Sequence, residues 1–449
     1  MRWKQNKVNK IVLSKCHSYE LKIMKRICLI GIVIAALTAK AAPVDTLRHW
    51  GAELSVTPGR TIVMDEWQRK WQKDKNNFAI DLKLIHAFLP SDSNDYARDY
   101  GFPTLSLGAK WGLNHGVTMH KGEEFWGKTK NAINEVDYDS HMGNTISFYG
   151  QFARPLIRTS HFETDYALNF GLCWSHLKYN VIDNIDNELI GSRWNIFFGA
   201  GIHGTWHFLQ DWGLRMGIDY YHYSNGALNR PNKGANFIGA TVGLVYQPYY
   251  EASITHYSTS AEKFEKYWYL NPYISIGGRT LMEEWQMTQF SSTPSDPDYR
   301  TDSFKCYWAY SFGTDVMYRY ARRWASGIGV DVFYGTYDGR VKEICQKRGD
   351  DSSISPWSVG IAAKHEAFFG PLSLNVSLGL YLYRHMGKWS KELEKPYYER
   401  VGINYRFKKL SELKIGINIK AHKTKADLTE VVISYPTTFF AKKIRKNPK

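Results

Sequence analysis

Apolar and polar residues alternate strictly along several segments of the chain. In 213–221 the even positions are apolar, and the odd positions carry Gly, Arg, Asp or Tyr. Segments 238–246, 374–382 and 413–420 alternate in the same way. Because successive side chains of a β-strand point to opposite sides of a sheet, this pattern predicts strands with one apolar face and one more polar face. A period of two over about ten residues is typical of strands that cross a membrane.

Twelve further candidate strands complete the pattern. They lie near 49–57, 78–89, 103–112, 143–153, 164–176, 193–207, 267–277, 304–319, 325–335, 355–368, 397–407 and 428–436. Loop-like segments separate them at 65–77, 90–101, 121–141, 180–192, 286–302 and 339–355. We therefore predict an all-β fold, an antiparallel transmembrane β-barrel of about 16 strands (range 12–16), since bacterial barrels close with an even strand number. A soluble β-sandwich, or two soluble domains, is the alternative.

A short motif occurs twice. Gly59-Arg60-Thr61 is followed by Met64 and Glu66-Trp67-Gln68, and Gly278-Arg279-Thr280 is followed by Met282 and Glu284-Trp285-Gln286. The spacing between the copies is about half of the chain beyond residue 41. The motif predicts either an internal duplication, with halves 42–265 and 266–449, or a turn that both halves share. Chance and common turn chemistry would also produce it.

The N-terminal region has the features of a secretory signal peptide. Lys22, Lys25 and Arg26 precede an apolar run over 27–37, and Ala39-Lys40-Ala41 supplies small residues for cleavage. We expect residues 1–41 to be removed, with Met24 as an alternative start and 1–23 as an upstream extension. Residues 42–449 would then form the outer-membrane barrel.

The charge of the chain comes largely from this N-terminal region. The formal charge is +15, but residues 1–41 contain nine Lys or Arg and one Glu, which leaves about +7 for the remainder. The pI of 9.3 is therefore a poor argument for nucleic-acid binding, and we expect none. Cys173, Cys306 and Cys345 are an odd number, which argues against a disulfide framework. The 30 Tyr and 16 Trp, with no apolar 18-residue run, favour a β-barrel.

The most informative polar residues are His222 and Ser224. They continue the apolar row of segment 213–221, so both should lie on the outer face of the barrel. A hairpin around 225–235 would bring Asn236 to the same face, close to Ser224. A general base and a nucleophile facing lipid are unusual unless the substrate is a lipid. Such residues could also be solvated among headgroups without a catalytic role.

The longer pattern around these residues resembles the lipid A 3-O-deacylase family of outer-membrane acyl hydrolases, also described as acyloxyacyl-hydrolase-like. The resemblance lies in His222-Tyr223-Ser224-Asn225, in the segment 229–234 and in Asn236. It implies an outer-membrane barrel with an active site on the outer wall that hydrolyses an acyl ester of lipid A. By motif position it implies Ser224 as nucleophile, His222 as general base, and Asn225 and Asn232 near the oxyanion. The second half has no counterpart of this motif.

Asn236 departs from the family pattern, in which a glutamate lies twelve positions after the serine. A carboxylate both orients the histidine and stabilises the imidazolium, whereas an asparagine can only orient it. The sequence therefore predicts a slow hydrolase, an enzyme that recruits another carboxylate, or an inactive relic. Asp219 is a poor replacement because it belongs to the opposite face of the strand.

The leading hypothesis is an outer-membrane esterase that acts on lipid A or lipopolysaccharide acyl chains within the outer membrane. These residues require no metal and no organic cofactor. A non-catalytic channel or structural barrel is the main alternative, since the inward rows carry polar residues such as Arg215, Asp219, Lys414 and Lys420. A surface-binding protein built on long loops is a third hypothesis. The sequence leaves the oligomeric state open.

Overall fold

The computed structural model describes residues 49–122, 136–254 and 263–439, apart from 291, 294, 298, 351–352, 395, 411 and 424. The predicted signal peptide (1–41) and upstream extension (1–23) lie outside the described residues. No helix in the described ranges is long and apolar enough to cross a membrane.

The predicted antiparallel barrel strands are confirmed, and within the described residues they close as two barrels of eight. The first barrel follows the circular order β1-β10-β9-β8-β7-β6-β3-β2, and the pairing of β1 with β2 closes it. Its strands are β1 (Trp50–Thr61), β2 (Gln72–Ala87), β3 (Thr104–Leu113), β6 (Thr145–Arg158), β7 (Phe162–Ser175), β8 (Trp194–His207), β9 (Trp212–Ser224) and β10 (Ala235–Tyr246). The short strands β4 (Val117–Met119) and β5 (Ser140–His141) extend β2 beyond the barrel.

The second barrel follows the order β12-β13-β14-β15-β16-β17-β18-β11 and is closed by β11 against β12. Its strands are β11 (Tyr267–Arg279), β12 (Tyr307–Ala321), β13 (Trp324–Gly335), β14 (Ile354–Phe369), β15 (Leu372–Met386), β16 (Tyr397–Phe407), β17 (Leu413–His422) and β18 (Lys425–Ser434), and the short β19 (Thr437–Phe439) pairs with β11. The chain passes from one barrel to the other between Tyr246 and Tyr267. Both copies of the Gly-Arg-Thr motif end the first strand of a barrel, but common ancestry of the halves stays a prediction.

Short helices occupy the connections. They are α1 (Glu66–Trp71), α2 (Asp95–Asp99), α3 (Tyr250–Ile254), α4 (Met282–Phe290), α5 (Asp338–Arg348) and α6 (Gly387–Trp389), with 3-10 turns at Pro90–Asp92 and Lys408–Leu410 and a π turn at Ser390–Glu394. One sequence-based boundary was wrong, because the segment 72–77 belongs to β2 rather than to a loop. The segment 339–355 connects β13 to β14, and most of α5 lies in it. In α5, Val341 and Ile344 are buried against the barrel mouth, which the strand-like periodicity around it did not reveal.

The walls and interiors of the barrels have opposite polarity. On β9, Met216 and Ile218 are more than half exposed on the outer wall, whereas Arg215 and Asp219 are buried inside. Inside the first barrel, Arg215 binds Asp165 at 2.6 Å between Nη1 and Oδ2. In the second barrel Lys364 binds Asp331 at 2.6 Å. Since the interior of an eight-stranded barrel is just wide enough for side chains, such ion pairs occupy the described part of both interiors.

The barrels touch at both ends. At the end that carries the long β9–β10 loop, which we call the loop end, Thr429 donates to the Gly226 carbonyl at 2.7 Å. At the opposite end, where the β2–β3 connection contains α2, Arg319 donates to the Tyr96 hydroxyl at 3.0 Å. Phe88 also packs edge-on against Phe369 there, with ring centroids 5.2 Å apart.

Candidate active site on the outer wall

His222 and Ser224 lie at the loop end of β9 and continue the outward row of that strand. The alternation of Met216 and Ile218 outside with Asp219 and Tyr221 inside carries through to them. His222 is half-buried and Ser224 is 7% exposed, because the neighbouring loop covers them. The site therefore sits on the outer wall of the first barrel, directly below the rim.

Asn236 lies opposite His222 on the neighbouring strand. The sequence placed Asn236 near Ser224, but the β9–β10 register pairs it directly with His222. His222 Nδ1 lies 2.8 Å from Asn236 Oδ1, so a protonated Nδ1 donates to the amide oxygen. With Nδ1 protonated, the lone pair of a neutral imidazole is on Nε2. The contact thus leaves the other ring nitrogen free to accept a proton.

Tyr220 is a third member of this cluster, and the sequence analysis missed it. Its hydroxyl donates to the same Asn236 oxygen at 2.6 Å. The Tyr220 hydroxyl and a protonated His222 Nδ1 both donate to Asn236 Oδ1. If the Asn236 amide were flipped, its N–H₂ group would face Nδ1–H, and this hydrogen bond would be lost. Tyr220 and His222 occupy the same outward row, two positions apart, which is the signal that could have revealed it. Among the described contacts, no hydrogen bond joins the side chains of His222 and Ser224.

The loop after Ser224 brings Asn225 and Asn232 together. The Asn225 backbone N–H donates to Asn232 Oδ1 at 3.0 Å. The Asn225 side chain turns into the loop, where its amide nitrogen donates to the Asn229 carbonyl at 3.2 Å. The half-buried Asn232 amide N–H₂ is therefore the less committed of the two candidate oxyanion donors.

Neighbouring segments hold this loop against the barrel. The Asn229 side chain donates to the Gly191 carbonyl at 2.7 Å, and the Gly234 N–H donates to the Leu189 carbonyl at 3.1 Å. Lys233 forms an ion pair with Asp65, the N-cap of α1, at 2.9 Å. Burial opposes ionisation of Asp65, but its hydrogen bonds to Lys233 and to the Gln68 amide outweigh this and lower its pKa. Gly234 has a φ of 76°, and a Cβ there would clash with the His222 ring at 2.5 Å.

Asp219 does not contribute a carboxylate to the site. It points into the barrel, where it bonds Thr241 and lies 3.2 Å from His203 Nε2. The outer cluster therefore contains no charged partner for His222 among its described contacts.

One described cluster has side chains of the types that bind metals. Glu394, His422 and Asp427 lie together at the mouth of the second barrel. Arg384 pairs with Glu394, and both Arg279 and Lys420 pair with Asp427, so cations already neutralise these carboxylates. The arrangement is that of an internal salt-bridge network.

Several solved structures match this chain at low identity and low TM-score. The crystal structure of the outer membrane enzyme PagL has 15% identity and a TM-score of 0.26, covering 42% of this chain and 97% of its own. The Pseudomonas putida toluene transporter TodX has 10% identity and a TM-score of 0.18, covering 89% of this chain and 90% of its own. Scores this low carry no functional argument. No curated protein matches the chain.

Two family models match, one on each barrel. The model described as lipid A 3-O-deacylase (PagL) matches residues 99–245, which include His222, Ser224 and Asn236. The model described as the C-terminal domain of acyloxyacyl hydrolase matches residues 268–439, from β11 through β19. The two matches do not overlap and together cover more than two thirds of the chain. The chain belongs to the lipid A 3-O-deacylase and acyloxyacyl hydrolase family of bacterial outer-membrane β-barrels.

Proposed function

We propose that the protein is an outer-membrane ester hydrolase that removes a fatty acyl chain from lipid A or a related lipid. The observation that carries the proposal is the His222–Asn236 contact on the outer wall, with Ser224 two residues along the same row. The proposal requires an ester of the outer leaflet to reach Ser224, which is 7% exposed, from this wall. The exposed apolar side chains of Ile202, Met216 and Ile218 lie on the same wall and offer a surface for acyl chains.

In the proposed mechanism His222 Nε2 takes the proton of the Ser224 hydroxyl as its oxygen attacks the ester carbonyl. His222 then gives this proton to the sugar oxygen as its bond to the acyl carbon breaks, which leaves an acyl-Ser224 and a sugar hydroxyl. The same nitrogen next takes a proton from water as the water oxygen attacks the acyl group. His222 returns that proton to the Ser224 oxygen as the fatty acid leaves. The Asn236 oxygen accepts from Nδ1–H, which leaves Nε2 to take up and return the proton.

The tetrahedral intermediate needs donors aimed at its oxyanion. The Asn232 amide is our first candidate, because its oxygen is fixed by the Asn225 N–H and its nitrogen points away from that bond. Asn225 has one amide hydrogen committed to Asn229 and is the second candidate. No metal or organic cofactor enters this mechanism.

Asn236 makes turnover slow in this proposal. It orients His222 but supplies no negative charge to the imidazolium. Replacing the aspartate of a serine protease triad by asparagine lowers kcat about 10⁴-fold, and this is an upper bound here, because that loss includes the wrong histidine tautomer whereas Asn236 accepts from Nδ1–H. The rate should therefore lie well below that of relatives with a glutamate at this position.

Mass spectrometry of lipid A from cells with and without the chain tests the proposal. We expect loss of one acyl chain with the wild type, none with Ser224→Ala, and undiminished loss with Ser258→Ala. Ser258 follows His256 in a second His-Tyr-Ser sequence, outside the described residues, and is therefore a matched control. Equal lipid A profiles with and without the wild-type chain would refute the proposal, and full activity of Ser224→Ala would remove Ser224 from the mechanism.

The channel alternative finds less support. Ion pairs fill both interiors, as in the Lys83–Glu53 pair at 2.8 Å and the Lys414–Glu366 pair at 2.9 Å. One cavity in the second barrel has a volume of about 50 Å³ and is lined by residues such as Asp315, Lys364 and Arg400.

A further inference from the structure

Residues Asn225–Leu228, directly after Ser224, form a tight turn. The Leu228 N–H donates to the Asn225 carbonyl at 3.3 Å. Both central residues are left-handed, with φ of 63° at Gly226 and 73° at Ala227. Glycine adopts this conformation freely, whereas the Cβ of alanine makes it unfavourable. The turn therefore contains strain at Ala227 that other contacts must offset.

The second barrel makes those contacts. The backbone N–H and the hydroxyl of Thr280 both donate to the Ala227 carbonyl at 2.8 Å. The Thr429 hydroxyl donates to the neighbouring Gly226 carbonyl at 2.7 Å. Two consecutive carbonyls of the strained turn are thus held from β18 and from the end of β11. We call Thr280 and Thr429 the turn clamp.

The clamp is fixed from both sides of the contact. Arg230, on the same loop as the turn, is buried and donates to the Thr280 carbonyl at 3.0 Å. Gly278 lets the Leu228 side chain approach the end of β11, since a Cβ at Gly278 would lie 3.2 Å from Leu228 Cδ2. Hydrogen bonds and side-chain packing therefore both hold the loop against the second barrel.

The repeated Gly-Arg-Thr motif meets the candidate site in both of its copies. In the first barrel, the residue that follows Thr61 braces the orienting strand, because the Ile62 N–H donates to the Asn236 carbonyl at 2.8 Å. In the second barrel, Thr280 itself braces the turn after Ser224. The first copy thus supports the backbone of Asn236, the partner of His222. The second copy supports the turn that follows Ser224.

We propose that the second barrel is a positioning module for catalysis in the first, acting through the hydrogen bonds of Thr280 and Thr429 to the turn Asn225–Leu228. The inference rests on the proposed function and adds a role for the half of the chain that lacks the His222 motif. The clamp residues contact neither substrate nor reacting atoms. They hold the turn that fixes Ser224 and the Asn225–Asn232 pair, where a small displacement lowers the rate without removing a catalytic group.

The test uses the full chain with isosteric variants that delete only the hydroxyl donors. Thr280→Val, Thr429→Val and the double variant are compared with wild type for kcat and KM on lipid A in mixed micelles. We expect the double variant to lose about tenfold or more in kcat with little change in KM. Ala227→Gly, added to the double variant, should restore most of the loss, since glycine holds the turn without a clamp.

Tyr96→Phe is the matched control. It deletes an inter-barrel hydrogen bond at the opposite end, from Arg319, and should leave kcat unchanged. Heat-modifiability on gels checks that each variant folds, and hydrogen exchange of the Leu228 amide follows the turn directly. We expect faster exchange in the clamp variants only.

The outcomes separate this inference from the proposed function. An active wild type whose double variant matches Tyr96→Phe in kcat and in Leu228 exchange would overturn the positioning role alone. A wild type that releases no fatty acid would overturn both. If the double variant fails to fold, Thr429→Val alone decides, and unchanged kcat and exchange in that variant would also overturn the inference.

Discussion

Asn236 lies directly across the β9–β10 ladder from His222, and its side-chain oxygen is 2.8 Å from Nδ1 of the imidazole. This contact supplies the orienting half of what a catalytic carboxylate provides. The charge that would stabilise a protonated imidazole is missing. Restoring this charge is therefore the most direct test of how the site works.

Asn236→Asp should raise kcat at neutral pH by at least about tenfold, because an isosteric carboxylate keeps the geometry and adds the charge. The Tyr220 hydroxyl and His222 N–H would both donate to it, which favours its ionised form. Asn236→Leu, which keeps the size but removes the acceptor, should lose activity. Rates of fatty-acid release from purified lipid A measure both changes. A folded Asn236→Asp barrel no faster than wild type would show that charge at this position does not limit turnover.

Tyr220→Phe should lower kcat several-fold with little change in KM. The variant removes one of the two donors that fix the Asn236 oxygen. The Nδ1–H tautomer of His222 is then less strongly favoured. Tyr246→Phe, which lies on the same wall at the other end of β10, is the control. A double-mutant cycle with Asn236→Leu should show non-additive losses, since Tyr220 acts through Asn236. Additive losses would mean that Tyr220 acts independently.

Asn232→Asp distinguishes the two roles of the Asn232 side chain, as an acceptor through its oxygen and as an oxyanion donor through its nitrogen. The aspartate can still accept the hydrogen bond from the Asn225 N–H, so the loop should keep its shape, but the donor for the oxyanion is gone. We expect a fall in kcat of about 10² to 10³-fold, as for loss of an oxyanion-hole donor. Asn229→Asp, in the same loop, replaces an amide that donates to the Gly191 carbonyl and provides a comparison of loop damage. Retention of activity in Asn232→Asp would transfer the oxyanion role to Asn225 or to backbone amides.

The alternation of apolar and polar residues predicted the strands well, because alternate side chains of each strand face the apolar outer wall and the polar interior. All of the predicted strands have a counterpart, and the outward placement of His222 and Ser224 follows from the row that contains Met216 and Ile218. The closure into two barrels was beyond this pattern. The pairings of β1 with β10 and of β11 with β18 join distant segments, and alternation carries no information about which edges meet.

The site was predicted less completely than the strands. Tyr220 reads as one more apolar residue of an outward row, and only the register across to β10 shows that its hydroxyl meets Asn236. Thr280 and Thr429 lie far from Ser224 in sequence, and their role depends on how the barrels pack. The Gly-Arg-Thr repeat marked the region of Thr280 but gave no chemical reason for it.

The Lys233–Asp65 ion pair predicts a pH dependence of the loop. The pKa of Asp65 is lowered in the folded protein, so the pair stabilises the loop above the unfolded pKa of about 4 and loses this effect as the pH falls through the folded value. Hydrogen exchange of the Gly234 amide, corrected for the intrinsic effect of pH, should therefore accelerate only in strong acid. Asp65→Asn should show faster exchange already at neutral pH. Equal exchange in wild type and Asp65→Asn at neutral pH would leave the pair without a role in holding the loop.

The filled interior of the second barrel predicts stability without conductance. Asp331 is fully buried and bonds Lys364 at 2.6 Å and the Tyr398 hydroxyl at 2.7 Å. Asp331→Asn removes the charge from a buried network, which should cost roughly 3–5 kcal/mol and lower the temperature of heat-modified migration on gels. Glu343→Gln, which alters an exposed ion pair on α5, should change it little. Fatty-acid release by folded Asp331→Asn should match wild type, since the network lies inside the second barrel.

The wild type should also show no steady conductance in planar bilayers, and reproducible open-channel currents would contradict an interior closed by ion pairs.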